Sequence, residues 1–135
     1  MPSFGAKSLE KLNTCHPDII KVMNEAIKHM DFTVLYGTRT VAEQQALYAQ
    51  GRTKPGPIVT SKDGVKKKSK HNYSPSLAVD IAPWKSGKGI DWGDIERFKE
   101  LAVVVKKAAD TVGVAIQWGG DWKTLKDLPH WEIKG

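Results

Sequence analysis

Cysteine is almost missing from this chain: Cys15 is the single one in 135 residues. No intramolecular disulfide can form, and a cysteine-rich zinc cluster is excluded. Any bound metal must therefore be held by nitrogen and oxygen. Long apolar runs are missing too, and none approaches the length that spans a bilayer. The opening residues Met1-Pro2-Ser3-Phe4-Gly5 carry no apolar stretch of the signal-peptide kind, so a soluble chain made in the cytoplasm is expected. Acidic side chains are outnumbered, 15 against 21 Lys and Arg, for a formal charge of +6. The excess gathers at Lys62 and in Lys66-Lys67-Lys68-Ser69-Lys70. A surface of that sign attracts nucleic acid, anionic lipid or wall polymers in a salt-dependent way, although a short lysine run is also an ordinary solvated loop. Repeats and linkers are absent, and a hydrophobic content of 40% suits one domain over residues 1–135.

The pattern that is present reads as α+β. A short helix is expected near residues 8–13 and a longer one over 17–30, with Pro17 at its first position and Ile19, Met23, Ile27 and Met30 at helical spacing. Phe32-Thr33-Val34-Leu35-Tyr36 is β-branched and aromatic and ends at Gly37, a strand. Thr40 and Glu43 have capping-box spacing ahead of a helix over 41–50 that stops at Gly51. Residues 52–76 read as a long loop, and 77–82 as a strand closed by Pro83. Asp91 or Asp94 caps a helix whose apolar face is Ile95, Phe98, Leu101, Ala102, Val105, Ala108, Ala109 and Val112, ended by Gly113. Strands over 114–118 and 130–133 flank a break at Gly119-Gly120. The expected architecture is a small antiparallel sheet packed with about three main helices, with a metal site in a cleft on the sheet.

Two segments carry the chemistry. They are Ser69-Lys70-His71-Asn72-Tyr73-Ser74-Pro75-Ser76-Leu77-Ala78-Val79-Asp80 and Asp127-Leu128-Pro129-His130-Trp131-Glu132. His71, Asp80 and His130 make a three-ligand zinc set with a fourth position open to water. Strand alternation puts Ala78 and Asp80 on one face and Leu77, Val79 and Ile81 on the other. In the last strand His130 and Glu132 share a face, opposite Trp131 and Ile133. Adjacent strands would then offer Asp80 and His130 to one ion, and the loop would deliver His71. Asp127, in the turn before Pro129, is the candidate base; Glu132 is the rival, better placed as a partner of His130. Arg39, after a strand and before a helix, suits a substrate carboxylate or an oxyanion. His16 and His29 read as non-catalytic. One or more of Trp118, Trp122 and Trp131 are candidates to wall the cleft. Asp121 is either structural or a ligand for a second cation.

These segments resemble the zinc peptidases that include D-alanyl-D-alanine carboxypeptidases and phage L-alanyl-D-glutamate endopeptidases. The resemblance rests on Ser69 with His71, Ala78 with Asp80, Asp127 with His130, Gly37-Thr38-Arg39-Thr40, and Trp118-Gly119-Gly120-Asp121-Trp122. It implies Zn²⁺ on His71, Asp80 and His130, Asp127 as general base, Arg39 as catalytic and substrate-binding, and Ser69 near substrate. Two departures stand out: His71 and Asp80 are nine positions apart where seven is commoner, and Ser76 replaces a usual glycine. The implied activity is endolysin-like hydrolysis of peptidoglycan stem peptides at L-Ala–D-Glu. The implied setting is the host cytoplasm, then the periplasm at lysis. A monomer is expected, with no nucleic acid and no stable membrane insertion. The alternatives are a D,D-carboxypeptidase on D-Ala-D-Ala termini and a non-catalytic, zinc-stabilised wall-binding or nucleic-acid-binding protein.

Overall fold

The computed structural model describes residues 4–38, 41–53, 55, 58, 70–73, 75–85, 88–122 and 126–134, with Val41 described by its backbone alone. Helices α1 (Ala6–Leu12) and α2 (Pro17–Ala26) come first, then strand β1 (Phe32–Tyr36) and helix α3 (Val41–Ala49). Strand β2 (Ala78–Pro83), helix α4 (Ile95–Val112) and strands β3 (Ile116–Trp118) and β4 (His130–Ile133) complete the order. The four strands form one antiparallel sheet in the order β1-β2-β4-β3.

The two central strands are β2 and β4, and β2 is buried at every position. Its alternation is the expected one. Val79 and Ile81 enter the hydrophobic core with Trp131, and Asp80 points the other way. Helices α2 and α4 pack on each other, α4 lies against β2 and β3, and α1 lies against β1. Their contribution to the core includes Leu12, Ile19, Val22, Met23, Leu101, Val105 and Ala109. Burying the Leu, Ile, Val and Met side chains among them is worth about 1.5–3 kcal/mol each, which holds the helices to the sheet.

Apart from shifts of one or two residues at the ends of α1, α3 and β2, two element boundaries and one side-chain placement differ from the sequence expectation. Helix α2 stops at Ala26 rather than Met30, because the chain tightens: Lys28 N–H donates to Glu25 O at 3.3 Å and His29 N–H to Ala26 O at 3.0 Å. Strand β3 begins at Ile116, two residues late, because Val114 N–H is used on Ala109 O in closing α4. Ile95 is 51% exposed rather than on the packed face of α4, since it is the first residue after the Asp94 cap. Asp94, and not Asp91, is that cap, its carboxylate accepting from Arg97 N–H at 3.2 Å. Gly113 closes the helix in a left-handed conformation, φ 74°. The capping-box residue Thr40 and most of the 52–76 loop lie outside the described residues.

Candidate active site

Sheet register brings the first two groups together. Asp80 of β2 pairs directly with His130 of β4. In such a pair the side chains stand side by side on one face, and here it is the face away from Val79, Ile81 and Trp131. The third group arrives from the loop. His71 sits in a short 3-10 turn, Lys70–Asn72, just ahead of β2. All three side chains are buried.

The donor atoms form a nearly equilateral triangle. His71 Nε2 lies 3.2 Å from Asp80 Oδ1 and 3.2 Å from His130 Nδ1. His130 Nδ1 lies 3.3 Å from Asp80 Oδ1. A tetrahedral ion with bonds of about 2.0–2.1 Å has ligands about 3.3–3.4 Å apart, so the triangle is one face of such a tetrahedron.

The outer nitrogens decide the tautomers. His71 Nδ1 is 2.8 Å from the carbonyl of Gly37, which can only accept, so the ring donates there and Nε2 keeps its lone pair. His130 Nε2 is 2.8 Å from Glu132 Oε1, so that ring donates to the carboxylate and Nδ1 keeps its lone pair. Three acceptors then face one another with no donor between them. A proton or a metal ion must sit among them. Without metal the proton settles on His130. Burial pulls its pKa down, but hydrogen bonds to Asp80 and Glu132, with the charges of Asp80 and Asp127, outweigh burial and raise it to about 9. Burial likewise pushes Asp80 up, and its close contacts with His130 and His71 outweigh it, holding the carboxyl well below the usual range. His71, Asp80 and His130 could therefore hold a metal ion, and among the described residues they are the one such cluster.

The surroundings show how the fold fixes these rings. Strand β1 bulges between Val34 and Tyr36, and Tyr36 pairs with Asp80. The next residue is Gly37, the partner of His71. A Cβ on Gly37 would sit 2.1 Å from Thr14 Oγ1 and 2.4 Å from Lys11 O, so only glycine fits there. The same turn between α1 and α2 holds Thr38, whose N–H donates to Thr14 Oγ1 at 2.9 Å. Ser76, the departure from glycine, is buried and bonded: its Oγ lies 2.6 Å from Ala78 O and 3.3 Å from Gly37 O. The serine thus belongs to the connector between two of the clustered groups.

Asp127 lies in the turn before β4. Its N–H donates to Gly119 O at 3.1 Å and its carbonyl accepts from His130 N–H at 3.1 Å. Trp118 Nε1 pins the same turn through Leu128 O at 2.7 Å. A Cβ on Gly119 would lie 2.4 Å from Asp127 O, and one on Gly120 2.4 Å from the Trp118 ring. The Gly119-Gly120 pair is therefore more than a break; it is the seat on which the Asp127 turn rests. Of the tryptophans, Trp118 and Trp131 stack in the core at 5.9 Å, whereas Trp122 is half-buried against the His130 ring at 4.9 Å. Asp121 is ion-paired with Lys106 at 2.9 Å. His16 caps α2, accepting from Asp18 N–H at 3.1 Å, and His29 faces Glu25 at the surface. Arg39 and Ser69 lie outside the described residues.

What sequence reasoning missed is Gly37, whose carbonyl accepts from His71, and Lys70. Lys70 Nζ lies 3.2 Å from Glu132 Oε2, while His130 meets the other oxygen, Oε1. The signal available was its place beside His71, one residue from a proposed ligand.

Known proteins match this arrangement. The model of the phage L-alanyl-D-glutamate peptidase family matches residues 2–134. The L-alanyl-D-glutamate peptidase of Escherichia phage T5 is 33% identical over 133 residues, covering 97% of this chain and 88% of that one. The peptidoglycan L-alanyl-D-glutamate endopeptidase CwlK of Bacillus subtilis is 42% identical over 113 residues, 80% of this chain and 64% of CwlK, so the match spans less than two thirds of that relative. The crystal structure of the Serratia marcescens L-Ala D-Glu endopeptidase ChiX superposes with a TM-score of 0.76 at 30% identity, covering 97% of this chain and 89% of that one. By sequence and by fold, the chain belongs to the phage L-alanyl-D-glutamate peptidase family.

Proposed function

We propose that this protein is a zinc-dependent peptidase that cuts the L-Ala–D-Glu bond in peptidoglycan stem peptides. The observation that carries the reading is the triangle of three lone-pair donors, His71 Nε2, Asp80 Oδ1 and His130 Nδ1, with edges of 3.2–3.3 Å, in a chain of this family. Two neutral imidazoles and one carboxylate suit Zn²⁺ and leave a fourth position open. When bound, such an ion supplies Lewis acidity and eases the loss of a proton from water near neutral pH.

The other residues then have distinct tasks. Asp127 stands beside His130, close enough for its charge to act on that ring. Its carboxylate accepts the proton of the attacking water and passes it to the nitrogen of the leaving D-Glu. Arg39 follows Thr38 in sequence, and Thr38 is tied to Thr14. Its guanidinium binds a substrate carboxylate or the oxyanion, and Ser69 contacts substrate. In this reading the enzyme is made in the host cytoplasm and acts on the wall.

The test is mass spectrometry of Gram-negative peptidoglycan incubated with the protein, with and without a chelator. Chelator-sensitive release of stem peptides with a new D-Glu amino terminus is expected. Loss of a terminal D-Ala alone would reassign the protein as a carboxypeptidase, and no product from zinc-loaded protein would remove the peptidase reading.

A further inference from the structure

We propose that Lys70 is a positioning residue for the cation centre: its ammonium locks Glu132 against His130 and so fixes the pose of the last ligand relative to the first. The inference rests on the reading that the triad holds a divalent cation.

Lys70 is joined to all three ligand-bearing segments. It occupies the same 3-10 turn as His71. Its carbonyl accepts from Leu77 N–H at 3.0 Å, which closes the connector leading to Asp80. Its ammonium crosses to β4, donating to Ile133 O at 2.5 Å and pairing with Glu132 Oε2 at 3.2 Å. Ile133 N–H in turn donates to Leu77 O at 2.9 Å. The ring of contacts is closed: Lys70, Leu77, Ile133 and Glu132 hold one another.

The consequence falls on His130. Glu132 has two oxygens, and Lys70 holds one of them. The other is left facing His130 Nε2, 2.8 Å away, and that contact sets the tautomer that aims Nδ1 into the triad. Without Lys70 the carboxylate is free to turn, and the ring loses a fixed acceptor. The pair is also shielded, with side-chain exposures of 26% for Lys70 and 15% for Glu132, so water replaces it poorly.

The alternative role for a lysine here has the opposite sign. A cation near a metal site repels the metal, so a purely electrostatic Lys70 would weaken binding and its removal would tighten it. Two features make positioning dominate. Glu132 neutralises the ammonium, and the ammonium bears on the triad through the Glu132 carboxylate and the imidazole. Loss of a partner that orients a ligating imidazole commonly costs about 10–100-fold in metal affinity.

The experiment is Zn²⁺ affinity of the full chain by competition with a chromophoric chelator, with thermal melts to confirm folding. The variants are Lys70→Met, Lys70→Arg, Glu132→Gln and the double Lys70→Met with Glu132→Gln. Expected are a loss of about tenfold in Lys70→Met, near recovery in Lys70→Arg, and no further loss when Lys70→Met is added to Glu132→Gln. Lys70→Gln is the companion variant should Lys70→Met not fold. Unchanged or tighter zinc binding in Lys70→Met overturns the proposal, as does an equal loss in the Glu132→Gln background. A wild-type chain that takes up no zinc overturns the underlying reading, and this one with it.

Discussion

His71 and His130 offer their lone pairs from opposite ring nitrogens, because the fold anchors them by different means. His71 comes from a loop and is held by a neutral backbone carbonyl, Gly37 O. His130 comes from a strand and is held by a carboxylate, Glu132, itself tied to Lys70. A carbonyl fixes direction without adding charge. A carboxylate fixes direction and also strengthens the ring as a donor. The loop side therefore sets geometry, and the strand side sets both geometry and basicity.

The sharpest way to break this comparison is to remove the group that both rings face. Asp80→Ala is expected to abolish stoichiometric zinc binding and all lytic activity, measured by metal analysis of dialysed protein and by turbidity of a wall suspension. Next is a change that spares the holding groups. Asp127→Asn should keep zinc while activity falls by about 10²–10⁴-fold, the usual size of a lost general base. Retention of full activity would exclude Asp127 from the chemistry. Gly37→Ala tests the loop side alone. Its methyl would meet Thr14 Oγ1 and Lys11 O, so a stability loss of about 1–3 kcal/mol is expected in denaturant melts, with weakened zinc binding. Normal zinc affinity in that variant would mean that the carbonyl does not position His71.

The smallest effect is a pH dependence of the metal-free protein, and it belongs to the strand side. The folded-state pKa of His130 stands above its ordinary 6.5, at about 9. Its contribution to stability is whole below about 6.5 and is lost as the pH rises towards 9. Asp80 works in the opposite sense: lowered from 3.8, it contributes fully above that value and loses its contribution as the pH falls through the lower folded-state value. Chelator-treated protein should melt highest between about pH 4 and 6.5 and decline towards 9. Zinc uptake at pH 7–8 should release a proton, measured by calorimetry in buffers of different ionisation enthalpy. Equal melting temperatures at pH 6 and 9 would show that no proton is shared in the triad.

The same division explains what the sequence disclosed. The strand side was legible because a period of two is rigid: once Val79 and Ile81 go to the core, Asp80 must face away, and Trp131 likewise fixes His130 and Glu132. The element order and the fold class followed from the same periodicities. On the loop side His71 was legible but its anchor was not, because no pattern in residues 70–77 states which carbonyl will meet the ring. That partner is 34 positions away, reached through a bulge and a glycine whose role is close approach. Gly119-Gly120 shows the same limit, since a glycine pair looks alike whether it breaks a strand or seats a turn. Ile95 was misplaced because helical periodicity does not say where packing begins.

The direct opposition of Asp80 and His130 across β2 and β4 has one more consequence. A slip of a single residue between those strands would turn His130 into the core and Trp131 out of it. Such a molecule keeps its sheet hydrogen bonds but has no triad. The metal content of a preparation thus serves as a gauge of strand registration, counting the molecules whose two central strands have closed on the right partner.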